Sequence, residues 1–115
     1  MYVDNKGIEH ILDEVISSTK SLYRGNLKKI YLYGSYAQNK NNDDSDIDFA
    51  ILVDLDDLEL KEYEKDLDII MAEMGYKYMK LVSLVDISYA RYNKWVDILP
   101  YYSNIKNEGV IIYEQ

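Results

Sequence analysis

The feature that most restricts the fold is segment 46–53, whose sequence is DIDFAILV. It follows an entirely polar stretch, residues 39–45, which is dominated by asparagine and aspartate and predicts a loop. Side chains of a strand alternate between the two faces of its sheet. One face of this strand then carries Asp46, Asp48, Ala50 and Leu52, and the other carries Ile47, Phe49, Ile51 and Val53. We therefore predict a strand here, with its apolar face in the core.

The residues before this strand predict a helix and another strand. Apolar side chains recur at helical spacing over residues 8–23, and Asp4 or Asn5 is placed to cap that helix. Segment 28–35, KKIYLYGS, is short and rich in β-formers, so it predicts a strand. The chain thus enters the central strand from a helix, a strand and a polar loop.

The residues after the central strand predict two further helices and a third strand. Asp56 or Asp57 is placed to cap the second helix, and Gly75 is placed to end it. A third strand is predicted over residues 79–87, and Ser88 is placed to cap a third helix that runs to about residue 97.

The end of the chain leaves two alternatives. Pro100 is expected to break the chain, and the final GVIIYE predicts either a fourth short strand or a tail that docks on a partner. The order of helices and strands indicates an α/β or α+β fold, with a small sheet covered by helices.

Composition excludes several classes of function. The 115 residues include no cysteine, so neither a disulfide framework nor a cysteine-based zinc site is possible. Thirteen Lys and Arg stand against 21 Asp and Glu, giving a net charge of −8 without the basic patch typical of nucleic-acid binding. No signal peptide and no apolar span of about 20 residues is evident. We expect one soluble, cytoplasmic domain that contacts neither membrane nor nucleic acid.

The paired aspartates indicate a metal site. Asp46 and Asp48 share one face of the strand, with Cα atoms about 6.5–7 Å apart at ordinary strand rise. Two like charges at this separation are costly unless a cation lies between them, and Mg²⁺ prefers carboxylate and phosphate oxygens. A solvated acidic edge is the alternative for two aspartates taken alone.

The Gly34-Ser35 pair, at the end of the preceding strand, makes a ligand more plausible. Gly34 allows the backbone to approach a phosphate, and Ser35 offers a hydroxyl and an N–H at the start of a possible short helix. The flanking Tyr33 and Tyr36 could stack on a nucleobase, although packing on the sheet is the ordinary role of Tyr33. Neither a calcium-binding loop nor a Walker P-loop matches these residues.

The spacing of these residues, Gly-Ser followed by ten residues and then Asp-x-Asp, resembles the signature of the DNA polymerase β-like nucleotidyltransferase superfamily. In its length the chain is similar to the minimal nucleotidyltransferases (MNT) of that superfamily. The resemblance implies a single nucleotidyltransferase domain, residues 1–115, with a small mixed sheet flanked by helices. It also implies that Gly34 and Ser35 bind the triphosphate of ATP, and that Asp46 and Asp48 are catalytic ligands of Mg²⁺.

The family also uses a third carboxylate on a neighbouring strand. Asp86 is the only acid within the third predicted strand, so the resemblance makes it the candidate third catalytic and metal-binding carboxylate. It lies nearer the end of that strand than expected, and a helix N-terminal charge is an equally good interpretation. Without a third acid, metal binding would survive, but activation of the attacking hydroxyl would be weakened.

Three functions are consistent with these residues. The resemblance implies transfer of AMP from ATP to a hydroxyl acceptor, a tyrosine of a partner HEPN RNase toxin, so that the chain acts as an antitoxin. The alternative is a catalytically weakened antitoxin that neutralises its partner by binding alone. A free-standing nucleotidyltransferase for a small molecule is the third.

Overall fold

The structure, a computed structural model, describes residues 6–115. The helices are α1 (Glu9–Tyr23), α2 (Asp57–Lys61), α3 (Glu64–Tyr78), α4 (Tyr89–Trp95) and α5 (Pro100–Glu108). The strands are β1 (Leu27–Tyr33), β2 (Ile47–Val53), β3 (Val82–Ser88) and β4 (Val110–Glu114). Short 3-10 turns precede and follow α1. The predicted caps Asp4 and Asn5 lie outside the described residues.

The four strands form one mixed sheet in the order β3-β2-β1-β4. β1 pairs antiparallel with β2 and with β4, whereas β2 and β3 run parallel. The parallel pair is joined by α2 and α3, the kind of crossover that a parallel connection requires. This confirms the predicted α+β fold. It also shows that the end of the chain forms a fourth strand rather than a tail.

Each face of the sheet has its own apolar core, whereas the alternation along β2 predicted a core on only one of them. Phe49 and Ile51 are fully buried in a cluster that includes residues of α1 and α3. Ala50 and Leu52 are equally buried, but on the opposite face, against Tyr92 of α4 and residues of α5. Asp48 belongs to this second face, which α4 and α5 cover only in part.

The second predicted helix has the predicted start but a different end. Asp56 caps α2 by accepting a 2.8 Å hydrogen bond from the Glu59 N–H, and the Glu59 carboxylate accepts a 3.0 Å bond from the Asp56 N–H. The helix breaks between α2 and α3. The prediction that Gly75 ends it is wrong, because α3 continues to Tyr78, and Met79 (φ 55°, ψ 40°) ends it in the left-handed conformation.

The C-terminal region contains one helix that was not predicted. Ser88 caps α4 as expected, accepting a 3.3 Å hydrogen bond from the Arg91 N–H. Pro100 was expected to break the chain, but it begins α5, because proline suits the first position of a helix, where no N–H is needed. Through residues 6–115, no helix is both long and apolar enough to cross a membrane.

Candidate functional site

The site begins where β1 ends beside the start of β2. The antiparallel pairing places Tyr33 opposite Asp48, so Gly34 follows directly alongside that aspartate. Gly34 has φ +76°, and a Cβ added to it would lie 2.5 Å from the Asp48 Oδ2 atom. Only glycine combines this backbone conformation with the absence of a side chain. The predicted Gly-Ser bend and the predicted carboxylate are therefore in contact.

Ser35 lies in a hydrogen-bonded turn, not at the start of a helix. The Gln38 N–H donates to the Gly34 carbonyl at 3.3 Å, and the Lys40 N–H donates to the Ser35 carbonyl at 2.9 Å. These bonds fix the bend at the edge of the sheet next to Asp48. Ser35 is partly exposed in this bend.

The two aspartates differ in their surroundings. Asp46 is exposed just before β2, whereas Asp48 is half-buried within the strand. Burial raises the pKa of Asp48 above its usual value, and the charge of Asp46 raises it further. A carboxylate desolvated beside a second negative charge is stabilised by a cation.

This donor set fits a divalent metal ion. Two carboxylates, one of them in contact with a glycine whose backbone can approach phosphates, suit Mg²⁺ held together with substrate phosphates. Within residues 6–115, no group of three or more acidic, histidine or cysteine side chains is arranged to hold a metal. The protein can therefore supply two carboxylates here, and phosphates and water would complete the shell.

Asp86 is not part of this site. The parallel pairing of β2 and β3 places Asp86 opposite Ile51 and Ser83 opposite Asp48, and paired residues point to the same face of a sheet. Asp86 therefore lies on the α1 side, where the Tyr23 hydroxyl donates a 2.8 Å hydrogen bond to its Oδ2 atom. The assignment of Asp86 as the third metal ligand is corrected on this ground.

The positions of β3 that do face the site carry no acid. Ser83 lies opposite Asp48, and Val85 lies opposite Ala50, both on the Asp48 face of the sheet. A serine hydroxyl is a weak proton acceptor compared with a carboxylate. The β3 strand thus offers no general base at the place where one would adjoin Asp48.

A cleft adjoins Gly34 between the end of β1 and α5, on the same face of the sheet as Asp48. Its volume is about 220 Å³. It is lined by Tyr33, Gly34, Tyr101, Asn104, Ile105 and Glu108. The sequence analysis missed this cleft because α5 was not predicted. The available signal was helical spacing, which places on one helix face Tyr101, Asn104, Ile105 and Glu108.

Comparison with known proteins gives a family match and a similar curated protein. The model of the family "Polymerase beta, Nucleotidyltransferase" matches residues 14–115. A relative from Methanocaldococcus jannaschii, named "Putative protein adenylyltransferase MJ0604", is 32% identical over 105 residues, which cover 91% of this chain and 97% of the relative.

One solved structure shares the fold, and a second gives a weaker superposition. A chain of a toxin–antitoxin crystal structure with AMP-PNP superposes with a TM-score of 0.57 at 21% identity, covering 90% of this chain and 73% of that one. A structure of a tri-AMPylated Shewanella oneidensis HEPN toxin in complex with an MNT antitoxin gives a TM-score of 0.46 at 21% identity, covering 90% and 70%.

Proposed function

The chain belongs to the polymerase β nucleotidyltransferase family, and on this basis we propose that it transfers AMP from ATP to a protein hydroxyl group in the presence of Mg²⁺. The contact between Gly34 and Asp48 carries this proposal, because it places the bend that would bind phosphate beside a carboxylate that would bind the metal. The name of the M. jannaschii relative, a protein adenylyltransferase, supports adenylyl transfer to a protein. We treat residues 1–115 as one such domain acting in the cytoplasm.

In the proposed reaction, each residue has a limited task. Gly34 lets the backbone approach the triphosphate, and Ser35 donates its hydroxyl to a phosphate oxygen. Asp46 and Asp48 would hold Mg²⁺, which supplies charge neutralisation on the phosphates. The acceptor oxygen forms a bond to the α-phosphorus, the bond from that phosphorus to the bridging oxygen breaks, and pyrophosphate leaves. The acceptor's proton passes to solvent.

A tyrosine is the acceptor that suits this site. The described part of β3 places no carboxylate beside Asp48, so the chain gives the acceptor little help in losing its proton. A phenol, with a pKa of about 10, loses that proton far more readily than a serine or threonine hydroxyl. We place this tyrosine on a partner HEPN-type toxin, so that the chain acts as an antitoxin. The fold shared with a toxin–antitoxin complex that contains AMP-PNP supports this choice.

A second candidate follows from the position of Asp86. If transfer requires a third carboxylate, this chain would bind its toxin without modifying it, because Asp86 faces the opposite side of the sheet. Its net charge of −8 would favour association with a basic surface of an RNase.

Labelled ATP separates the two functions. The chain is incubated with ATP labelled at the α-phosphate, Mg²⁺ and the product of the adjacent open reading frame, and label on that product is measured. We expect transfer that Asp48→Asn lowers by about 100-fold or more, because several kcal/mol of charge stabilisation are lost. Asp54→Asn, an exposed residue just beyond the other end of β2, is the matched control. A stable complex without label would establish the binding-only antitoxin.

A further inference from the structure

We propose that the cleft between β1 and α5 binds the nucleobase of the substrate, and that Asn104 makes it selective for adenine. This inference rests on the proposed function and deepens it by assigning base recognition to α5. The cleft and the metal-binding face share Gly34, whose backbone lines one and contacts Asp48 of the other. A nucleotide whose phosphates lie at Asp46 and Asp48 can therefore extend its base past Gly34 toward α5.

The size and charge of the cleft favour a base over phosphates. Its 220 Å³ is smaller than the pockets of about 300–1,000 Å³ that hold drug-sized ligands, and it suits a single ring system. Of the described residues that line it, Glu108 alone is charged, and Gln38 donates a 3.1 Å hydrogen bond to that carboxylate. A negative charge repels phosphates, so the triphosphate is directed to the side of Gly34 where the cation binds.

Two tyrosines provide an aromatic surface for the base. Tyr33 and Tyr101 pack edge-to-face with ring centroids 6.3 Å apart, and their hydroxyl oxygens are 3.2 Å apart. This contact holds Tyr101 in place while 46% of its surface stays exposed. Stacking on such a ring stabilises any base, so it contributes affinity rather than selectivity.

Asn104 is the lining residue that can distinguish adenine. It is exposed on α5, one turn before Glu108, and no hydrogen bond of its side chain is found within residues 6–115. An asparagine amide pairs with adenine through two hydrogen bonds, donating to N7 and accepting from the N6 amino group. Guanine presents an acceptor, O6, in place of that amino group, so it cannot form the same pair.

Calorimetric titration with each triphosphate and Mg²⁺ tests the inference. We expect ATP to bind about tenfold or more tightly than GTP and UTP, as one bidentate pair provides. Asn104→Ala should lower ATP affinity about tenfold and leave UTP affinity within about threefold. Asn107→Ala, also exposed on α5 but outside the cleft, is the matched control and should leave every affinity unchanged. Thermal melting checks that each variant is folded.

Tyr101 gives an independent measurement. Tyr101→Ala should weaken ATP, GTP and UTP alike, by about tenfold, whereas Tyr101→Phe, which keeps the ring, should stay within about threefold of wild type. Equal affinity for all bases, tighter binding of GTP than ATP, or an Asn104→Ala variant that still prefers ATP would overturn the inference. If the inference fails but Asp48→Asn still lowers the affinities for the triphosphates, the proposed function stands. If no triphosphate binds, both fail.

Discussion

Gly34 and Asp48 contact each other across the β1–β2 pair, with room for a hydrogen but not for a Cβ between the Gly34 backbone and the Asp48 Oδ2 atom. Gly34→Ala would introduce that Cβ at φ +76°, a conformation that side chains rarely adopt. We expect a loss of about 1–3 kcal/mol of unfolding free energy, measured by urea denaturation. Binding of Mg²⁺ and ATP should be lost as well, because Asp48 must move.

Gly25→Ala is the control for this change. A Cβ at Gly25 would have no atom within 4 Å, and its backbone needs no left-handed conformation. It should alter stability by less than about 0.5 kcal/mol and leave nucleotide binding intact. Equal effects of the two substitutions would contradict the importance that we assign to the Gly34–Asp48 contact.

Asp48→Asn should raise stability while lowering transfer by about 100-fold or more. The raised pKa of Asp48, caused by burial and then by Asp46, means that the folded chain favours the protonated acid. The stability that this group contributes is present below its unfolded pKa and is lost as the pH rises through its folded pKa. At neutral pH the amide should therefore increase the urea midpoint when no ligand is present.

Wild type should become more stable than Asp48→Asn when Mg²⁺ and ATP are present. Wild type then gains stability by mass action, whereas Asp48→Asn lacks a metal ligand and gains little. Asp54→Asn, with the same change of charge at an exposed position, separates this local effect from the general reduction of net charge. An Asp48→Asn variant less stable than wild type without ligand would contradict the electrostatic argument.

The sequence predicted the central part of this fold because local signals and tertiary structure agree there. In β2, alternation assigned Phe49 and Asp48 to opposite faces, but it did not show that Ala50 and Leu52 are buried on the aspartate face as well. It failed at Asp86, since only the register of β3 against β2 decides which face a residue of β3 occupies, and register is a tertiary property. It failed at Gly75, where packing of α3 outweighs the weak helix propensity of glycine.

The capping box at α2 should contribute measurably to stability. Asp56→Ala removes the acceptor for the Glu59 N–H, and a lost N-cap costs about 1 kcal/mol. Asp57→Ala is the comparison, because its side chain makes an exposed salt bridge with Arg91 at 3.1 Å, and such a pair contributes about 0–1 kcal/mol. Urea denaturation of both variants should rank Asp56→Ala as the more damaging. The reverse ranking would show that the salt bridge contributes more to stability than the cap of α2 does.

Tyr23→Phe should destabilise the chain through Asp86. Tyr23 is 1% exposed and donates the 2.8 Å hydrogen bond to that carboxylate, so phenylalanine would leave a half-buried charge without this donor. We expect a loss of about 1.5–3 kcal/mol by urea denaturation. Tyr78→Phe also removes a donor to a carboxylate, but Glu14 keeps its exposed bond to Lys77, so the loss should be smaller. Equal losses would contradict the role of burial.

Asp86→Asn tests the corrected assignment directly. Because Asp86 lies on the face of the sheet opposite Asp48, label transfer to the toxin should stay within about threefold of wild type. A loss comparable to that of Asp48→Asn would return Asp86 to the catalytic site.

The same variant should show a defined dependence of stability on pH. Burial raises the pKa of Asp86, and the charge of Glu64 adds to this, while the Tyr23 hydroxyl partly opposes it. The contribution of Asp86 to stability is thus fully present below its ordinary pKa of 3.8 and is lost as the pH rises through the higher folded value. Urea denaturation should therefore show that the stability of wild type relative to Asp86→Asn is highest in acid. At neutral pH this advantage of wild type should be smaller or reversed. A difference that does not change with pH would mean that Asp86 titrates alike in the folded and unfolded chains.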